Sequence, residues 1–186
     1  MLAQLVFMRY GAGKSRVGQT AESAMAFLKG LPVEVMREIV EEAMDSAFRP
    51  HVYRDALDLV ERHRQRDERS FIVSAALQEI VDALVGELGL DGGVGSTAEV
   101  EDGVYTGRID RRLDGLAKAA AVVELAGAEG IDLDASTAYS DSASDVPFLE
   151  AVGQAVAVNP DRRLRAIAAE RGWRVLRFDA KAFPTR

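Results

Sequence analysis

Four polar residues in this sequence have types and spacings suited to phosphate chemistry. Asp141 and Asp145 stand four apart in Tyr139-Ser140-Asp141-Ser142-Ala143-Ser144-Asp145, with small residues between them. A strand is expected to end at Ser140, and Val146-Pro147 opens a short helix with proline in its first turn, where a missing N–H costs nothing. Ligands in open α/β sheets bind beyond the carboxyl ends of strands and beside helix N-termini. Two acids placed there repel a phosphate unless a hard cation stands between them and it. The competing reading of the same spacing is that the two acids cap the following helix. Ser74 closes a second apolar run, Phe71-Ile72-Val73, so the same rim would hold a hydroxyl. Lys118 falls in the first turn or so of a helix, where it opposes the dipole; an ordinary solvated lysine is the alternative. If the four converge, hydroxyl and ammonium donate to phosphate oxygens while the carboxylates hold Mg²⁺.

The elements that must position them are legible from periodicity. Residues 1–66 read as helical. Leu2, Leu5, Val6 and Met8 open in mid-pattern without a cap, and Thr20 caps a segment through Leu28. Pro32 begins a helix with Met36, Ile39, Val40 and Ala43 on one face, and another follows Pro50. At Ser70 the period changes. A buried strand over 71–73 is followed by a helix carrying Leu77, Ile80, Val81, Leu84 and Leu88. Gly92, Gly93 and Gly95 read as a break, and strands over 97–100 and 104–109 join through Glu101-Asp102-Gly103 as a hairpin. Asp114 is placed to cap a helix over 115–126. Strand 137–140, helix 146–152, strand 155–158, helix 161–171 and strand 174–178 complete an α/β alternation, the pattern of a parallel sheet with helices on both faces. The helical first third lies outside it, giving a cap over 1–50 and a core over 51–186.

Composition narrows the function classes. The chain has 186 residues, 48% apolar and 28% charged, enough for a sizeable core. A net charge of −7 disfavours nucleic acid as a partner. With no cysteine and only His51 and His63, thiolate and histidine-rich metal sites are excluded. The apolar run 1–8 is too short to span a membrane and has no basic leader, so a cytoplasmic location is expected.

The residues resemble a known family. Phe71-Ile72-Val73-Ser74-Ala75, Gly115-Leu116-Ala117-Lys118 and Tyr139 through Asp145 are similar to three of the motifs of haloacid-dehalogenase-superfamily phosphatases, specifically the phosphoserine-phosphatase-like branch. Val100 through Gly107, Val156 through Leu164 and Arg171 through Leu176 extend the likeness in the expected order, and residues 1–50 resemble the branch's helical cap. The resemblance implies a Rossmann-like core, a small phosphorylated metabolite as substrate and Mg²⁺ as cofactor. It gives Ser74 and Lys118 to the phosphoryl group and Asp141 to the metal. Asp145 supports the metal shell and pairs with Lys118. Hydrolysis would run through an aspartyl-phosphate.

One departure stands against it. The family's first motif, Asp-x-Asp-x-Thr on a strand before the cap, supplies the nucleophile and the acid–base aspartate, and this chain lacks it. The nearest run, Asp132-Leu133-Asp134-Ala135-Ser136, is expected to be a loop at the amino end of its strand, on the wrong rim. The sheet is therefore expected to lack its first, central strand, leaving two inner edges unpaired. Three readings follow: a phosphatase whose start lies upstream of Met1, a pseudo-enzyme acting as a binding partner, or a remnant completed by another chain. Gly11-Ala12-Gly13-Lys14-Ser15 imitates a phosphate loop but has Met8 where glycine is required, and it is set aside.

Overall fold

The computed structural model of this chain describes the backbone of residues 2–6 and residues 27–183 in full. Most of the expected segment from Thr20 to Leu28, and the 11–15 run, lie outside the described residues. The strands are β1 (Leu2–Val6), β2 (Arg69–Leu77), β3 (Gly92–Glu101), β4 (Val104–Arg111), β5 (Asp132–Ser140), β6 (Gln154–Val158) and β7 (Arg174–Leu176). The described helices are α1 (Val33–Ala43), α2 (Arg54–Arg64), α3 (Gln78–Leu88), α4 (Leu116–Glu129), α5 (Val146–Glu150) and α6 (Arg162–Arg171). One sheet runs β4-β3-β2-β1-β5-β6-β7, parallel throughout except at the β3–β4 hairpin.

The first strand is where the sequence reading is corrected. Leu2–Val6 is extended, pairing Leu5 with Phe71 of β2 on one side and with Ala138 of β5 on the other. The sheet core therefore has its central strand, and the unpaired inner edges do not arise. Apolar residues at 2, 5 and 6 suit a helix face and a short buried strand equally. Two flanking parallel strands, each with a row of backbone groups to satisfy, decide it. Its residues also move from the expected cap into the core sheet.

Period 2 sorts β2 and β5 onto two faces. Phe71, Val73 and Ala138 point into the main core with Leu113, Val122, Phe148, Leu149 and Leu164. Ile72 points the other way, onto Val40, Met44, Val81 and Leu84, while Tyr139 packs with Leu59, Val60 and Val156. Helices thus cover both faces, as the alternation predicts. The chain segments flanking α1 and α2 are tied to the rest by backbone bonds. Gly30 N–H donates to Tyr105 O, Val33 N–H to Gly103 O, and Ala182 N–H to Val52 O.

Three smaller corrections have physical causes. Gly93 and Gly95 do not break the chain but lie inside β3, where Gly93 pairs with Ile72 of β2. A Cβ on Gly93 would sit 2.4 Å from Val81 Cγ1, and one on Gly95 would sit 2.9 Å from Ala76 O, so close approach of α3 selects glycine there. Asp132 through Ser136 belongs to β5 rather than a loop, yet it stays at the strand's amino end, away from Asp141. Asp114 makes no side-chain cap to α4, whose N-cap is Gly115 at φ 48°; its carboxylate takes Arg112 at 2.7 Å.

Candidate active site

The carboxyl rim of the sheet gathers two pairs of side chains. Ser74 shares a face with Ile72, and Asp141 with Tyr139, so both look away from the main core. Both line one cavity of about 720 Å³. Lys118, on the helix whose Ala121 and Val122 pack into the main core, and Asp145 are both buried. Lys118 Nζ donates to Asp145 Oδ1 at 2.9 Å, with the side chains 4% and 2% exposed. That burial overturns the reading of Lys118 as a solvated lysine. The helix-capping alternative also fails for Asp145, which makes no side-chain cap bond. The turn Ala143–Asp145 is capped by Ser142, whose hydroxyl accepts from Ser144 N–H.

Local sequence builds this arrangement. Ser140 Oγ donates to the second oxygen of Asp145 at 2.8 Å and accepts from Ser142 N–H at 3.2 Å. The small residues between the two aspartates let the chain fold back this tightly, and a bulkier residue at 142 would find no space in a site 2% exposed. Asp145, with one oxygen on Lys118 and the other on Ser140, is a clamp that holds the ammonium in place. Ser74 Oγ accepts from Ala76 N–H at 3.1 Å, which fixes its oxygen and leaves its own proton to donate.

Asp161 was not singled out from the sequence, and it organises the rim. Its N–H donates to Asp141 O at 2.8 Å. One carboxylate oxygen caps α6 by accepting from Leu164 N–H at 2.8 Å, and the other accepts from Ala143 N–H at 3.1 Å. The available signal was an aspartate directly before a helical pattern, the N-cap position. It could not reveal that the same carboxylate ties down the loop carrying Asp141.

A buried chain behind the rim was also illegible. Glu68 Oε2 lies 2.6 Å from His63 Nδ1, and His63 Nε2 lies 2.9 Å from the Tyr139 hydroxyl. With His63 Nδ1–H donated to the carboxylate, Nε2 accepts the tyrosine proton. Burial pushes Tyr139 up to about 12. Unfolded tyrosine ionises near pH 10, so above that the unfolded chain sheds a proton that the folded chain keeps. Stability should therefore fall between about pH 10 and 12, by roughly 1.4 kcal/mol per pH unit at most from this group. Melting temperatures measured from pH 9 to 12 should fall less steeply for Tyr139→Phe than for the wild type; equal slopes would remove the effect.

The metal question turns on donors. Among the described residues no three His, Asp or Glu side chains converge as a ready-made cation cage. Asp145 is held by Lys118 and Ser140, and Asp141 is the carboxylate that lines the cavity. One carboxylate suits Mg²⁺, a cation that keeps several waters and takes phosphate oxygens from its substrate. It does not suit a tightly held structural ion.

Comparison with known proteins gives the family of the chain. The chain is 40% identical over 177 residues to the inhibition of morphological differentiation protein of Streptomyces azureus, covering 95% of this chain and 64% of that protein. It is 38% identical over 180 residues to phosphoserine phosphatase SerB1 of Mycobacterium tuberculosis, covering 96% and 58%. The chain thus spans less than two thirds of the length of these relatives. A crystal structure of a protein of unknown function from Bordetella pertussis superposes with a TM-score of 0.83 at 25% identity, covering 94% of this chain and 97% of that one. The sequence model for haloacid dehalogenase-like hydrolases matches residues 1–150, which include β1, Ser74, Lys118 and both rim aspartates, and the chain belongs to that family.

Proposed function

We propose that this chain carries the phosphate-binding half of a Mg²⁺-dependent phosphomonoesterase site. The observation that supports it most is the buried Lys118–Asp145 pair at 2.9 Å. A structural core has no use for an ammonium there, since taking a charge pair out of water costs more than an apolar pair of the same shape. A phosphate site does. Ser74 Oγ and Lys118 Nζ are the groups that would bind phosphoryl oxygens, and Asp141 would be the carboxylate on Mg²⁺. The cation would supply charge neutralisation on those oxygens. Asp145, Ser140 and Asp161 hold the binding groups in place, so little reorganisation remains when substrate arrives.

In the family's manner of hydrolysis, an aspartate at the carboxyl end of the central strand attacks phosphorus and a second aspartate moves the proton. Beyond β1 this sequence has Phe7-Met8-Arg9-Tyr10, and its first aspartate is Asp45. Binding without turnover is therefore the expected behaviour of the chain as given, which also favours a second reading, a phosphoester-binding protein that has given up catalysis.

The test joins both halves. With millimolar Mg²⁺ and inorganic phosphate, the melting temperature of the wild type should rise by mass action, that of Asp141→Asn should not, and Asp102→Asn should respond like the wild type. Hydrolysis of an aryl phosphate should be negligible, since losing a catalytic unit typically costs several orders of magnitude. A wild type indifferent to Mg²⁺ and phosphate would sink the binding role. Ordinary turnover that is lost in Asp141→Ala would show another nucleophile at work.

A further inference from the structure

The cavity that holds Ser74 and Asp141 is larger and more apolar than a phosphate group requires. It measures about 720 Å³, and thirteen of its twenty described lining residues are apolar. Ile39 and Val40 of α1, Phe48, Leu59 of α2, and Ile80 and Leu84 of α3 form much of the wall. The charged side chains among the described lining residues are Asp141 and Lys181, the latter with its ammonium 3.6 Å from the centre of the Tyr53 ring.

Such a wall discriminates between leaving groups. An amino-acid alcohol brings an ammonium and a carboxylate, each costly to desolvate unless matched by a charge or several hydrogen bonds. Leu, Ile, Val and Phe offer neither. An aliphatic alcohol gains on the same wall, because each methylene removed from water strengthens binding by about fourfold. Ser74 and the cation on Asp141 would face the phosphate, while Lys181 adds a positive charge that suits a dianion. We propose that the site takes phosphomonoesters of apolar, aliphatic alcohols in preference to those of zwitterionic amino acids. This rests on the phosphate-binding reading above.

Calorimetric titration of the whole chain, in millimolar Mg²⁺ and below micelle-forming concentrations, separates the two claims. The probes are inorganic phosphate, O-phosphoserine, octanol, and butyl, hexyl and octyl phosphate. The expected result is tightening along the alkyl series, with octyl phosphate at least about tenfold tighter than butyl phosphate and tighter than phosphoserine. Ile39→Gln, a change at a residue 47% exposed, should weaken octyl phosphate about tenfold or more and inorganic phosphate by less than about twofold. Phosphate binding with no dependence on chain length, or a preference for phosphoserine, overturns this inference and spares the phosphate site. Octanol binding as tightly as octyl phosphate also overturns it, because the apolar wall would then work apart from the rim. No binding by any phosphate-bearing probe overturns both claims.

Discussion

Lys118→Met should cost the folded chain about 3–5 kcal/mol, the range observed when one partner of a buried ion pair is removed. Methionine reproduces all of the lysine chain but its terminal ammonium, so most of the loss is electrostatic rather than a cavity. What remains is Asp145, 2% exposed, with Ser140 Oγ at 2.8 Å as its surviving donor in the clamp. A carboxylate in that position must either ionise without its counter-charge or take up a proton. The double variant Lys118→Met/Asp145→Leu tests the mechanism, because it removes the stranded charge along with the pair. Replacing both ions by apolar groups is often close to neutral. Urea unfolding of the wild type, both single variants and the double variant would give the coupling, provided the denaturant slope stays constant. If Lys118→Met unfolds at the wild-type urea concentration, the pair contributes nothing and its reading as a preorganised phosphate clamp loses its basis. Function should diverge from stability in the same set. The double variant should regain stability without regaining phosphate binding, since neither residue can then present an ammonium.

What the sequence disclosed and what it hid follow from range. Helices α1 to α6 and strands β2 to β7 were legible because each carries its own periodicity and its own breakers within about a dozen residues. Ser74, Lys118, Asp141 and Asp145 stood out because each sits in a recognisable local run, and the structure puts Lys118 on Asp145 and Ser74 with Asp141 on one cavity. The strand β1 was not legible, because a five-residue, mostly apolar run has no intrinsic preference that its neighbours cannot override. Its partners, Phe71 and Ala138, lie more than sixty residues away. Gly93 and Gly95 misled for a related reason. In isolation two glycines mean a break, but here they answer a helix that packs within van der Waals reach of the strand. The Glu68–His63–Tyr139 chain joins residues 76 positions apart and leaves no local trace. Asp161 was not singled out although it stands before a helical pattern, and its second bond, to Ala143, has no local signal at all.

Gly153→Ala should be among the most damaging single-methyl additions in the chain. Gly153 sits between α5 and β6, where its N–H donates to Leu133 O at 2.9 Å. A Cβ there would lie 1.7 Å from Asp134 O and 2.6 Å from Asp134 C, and both are backbone atoms that cannot rotate aside. Relief requires β5 and β6 to separate at their amino ends, against the pairing of Thr137 with Gln154 and of Ala138 with Ala155. Overpacking of ordinary core sites costs about 1–3 kcal/mol, and a clash with fixed backbone belongs at or above the top of that range. Gly127→Ala is the control. It lies within α4 with nothing within 4 Å of the added methyl, so it should stabilise by roughly 0.5–1 kcal/mol through helix propensity. Urea midpoints moving in opposite directions for the two variants are the expected outcome. The damage should also reach the site, because β5 carries Asp141 at its far end and any slip in its register against β6 moves that carboxylate relative to Ser74. In a Gly153→Ala protein that still folds, stabilisation by Mg²⁺ and phosphate should shrink, while Gly127→Ala keeps it whole. A Gly153→Ala variant as stable and as responsive as the wild type would mean that the two strands do not approach as closely as this backbone places them.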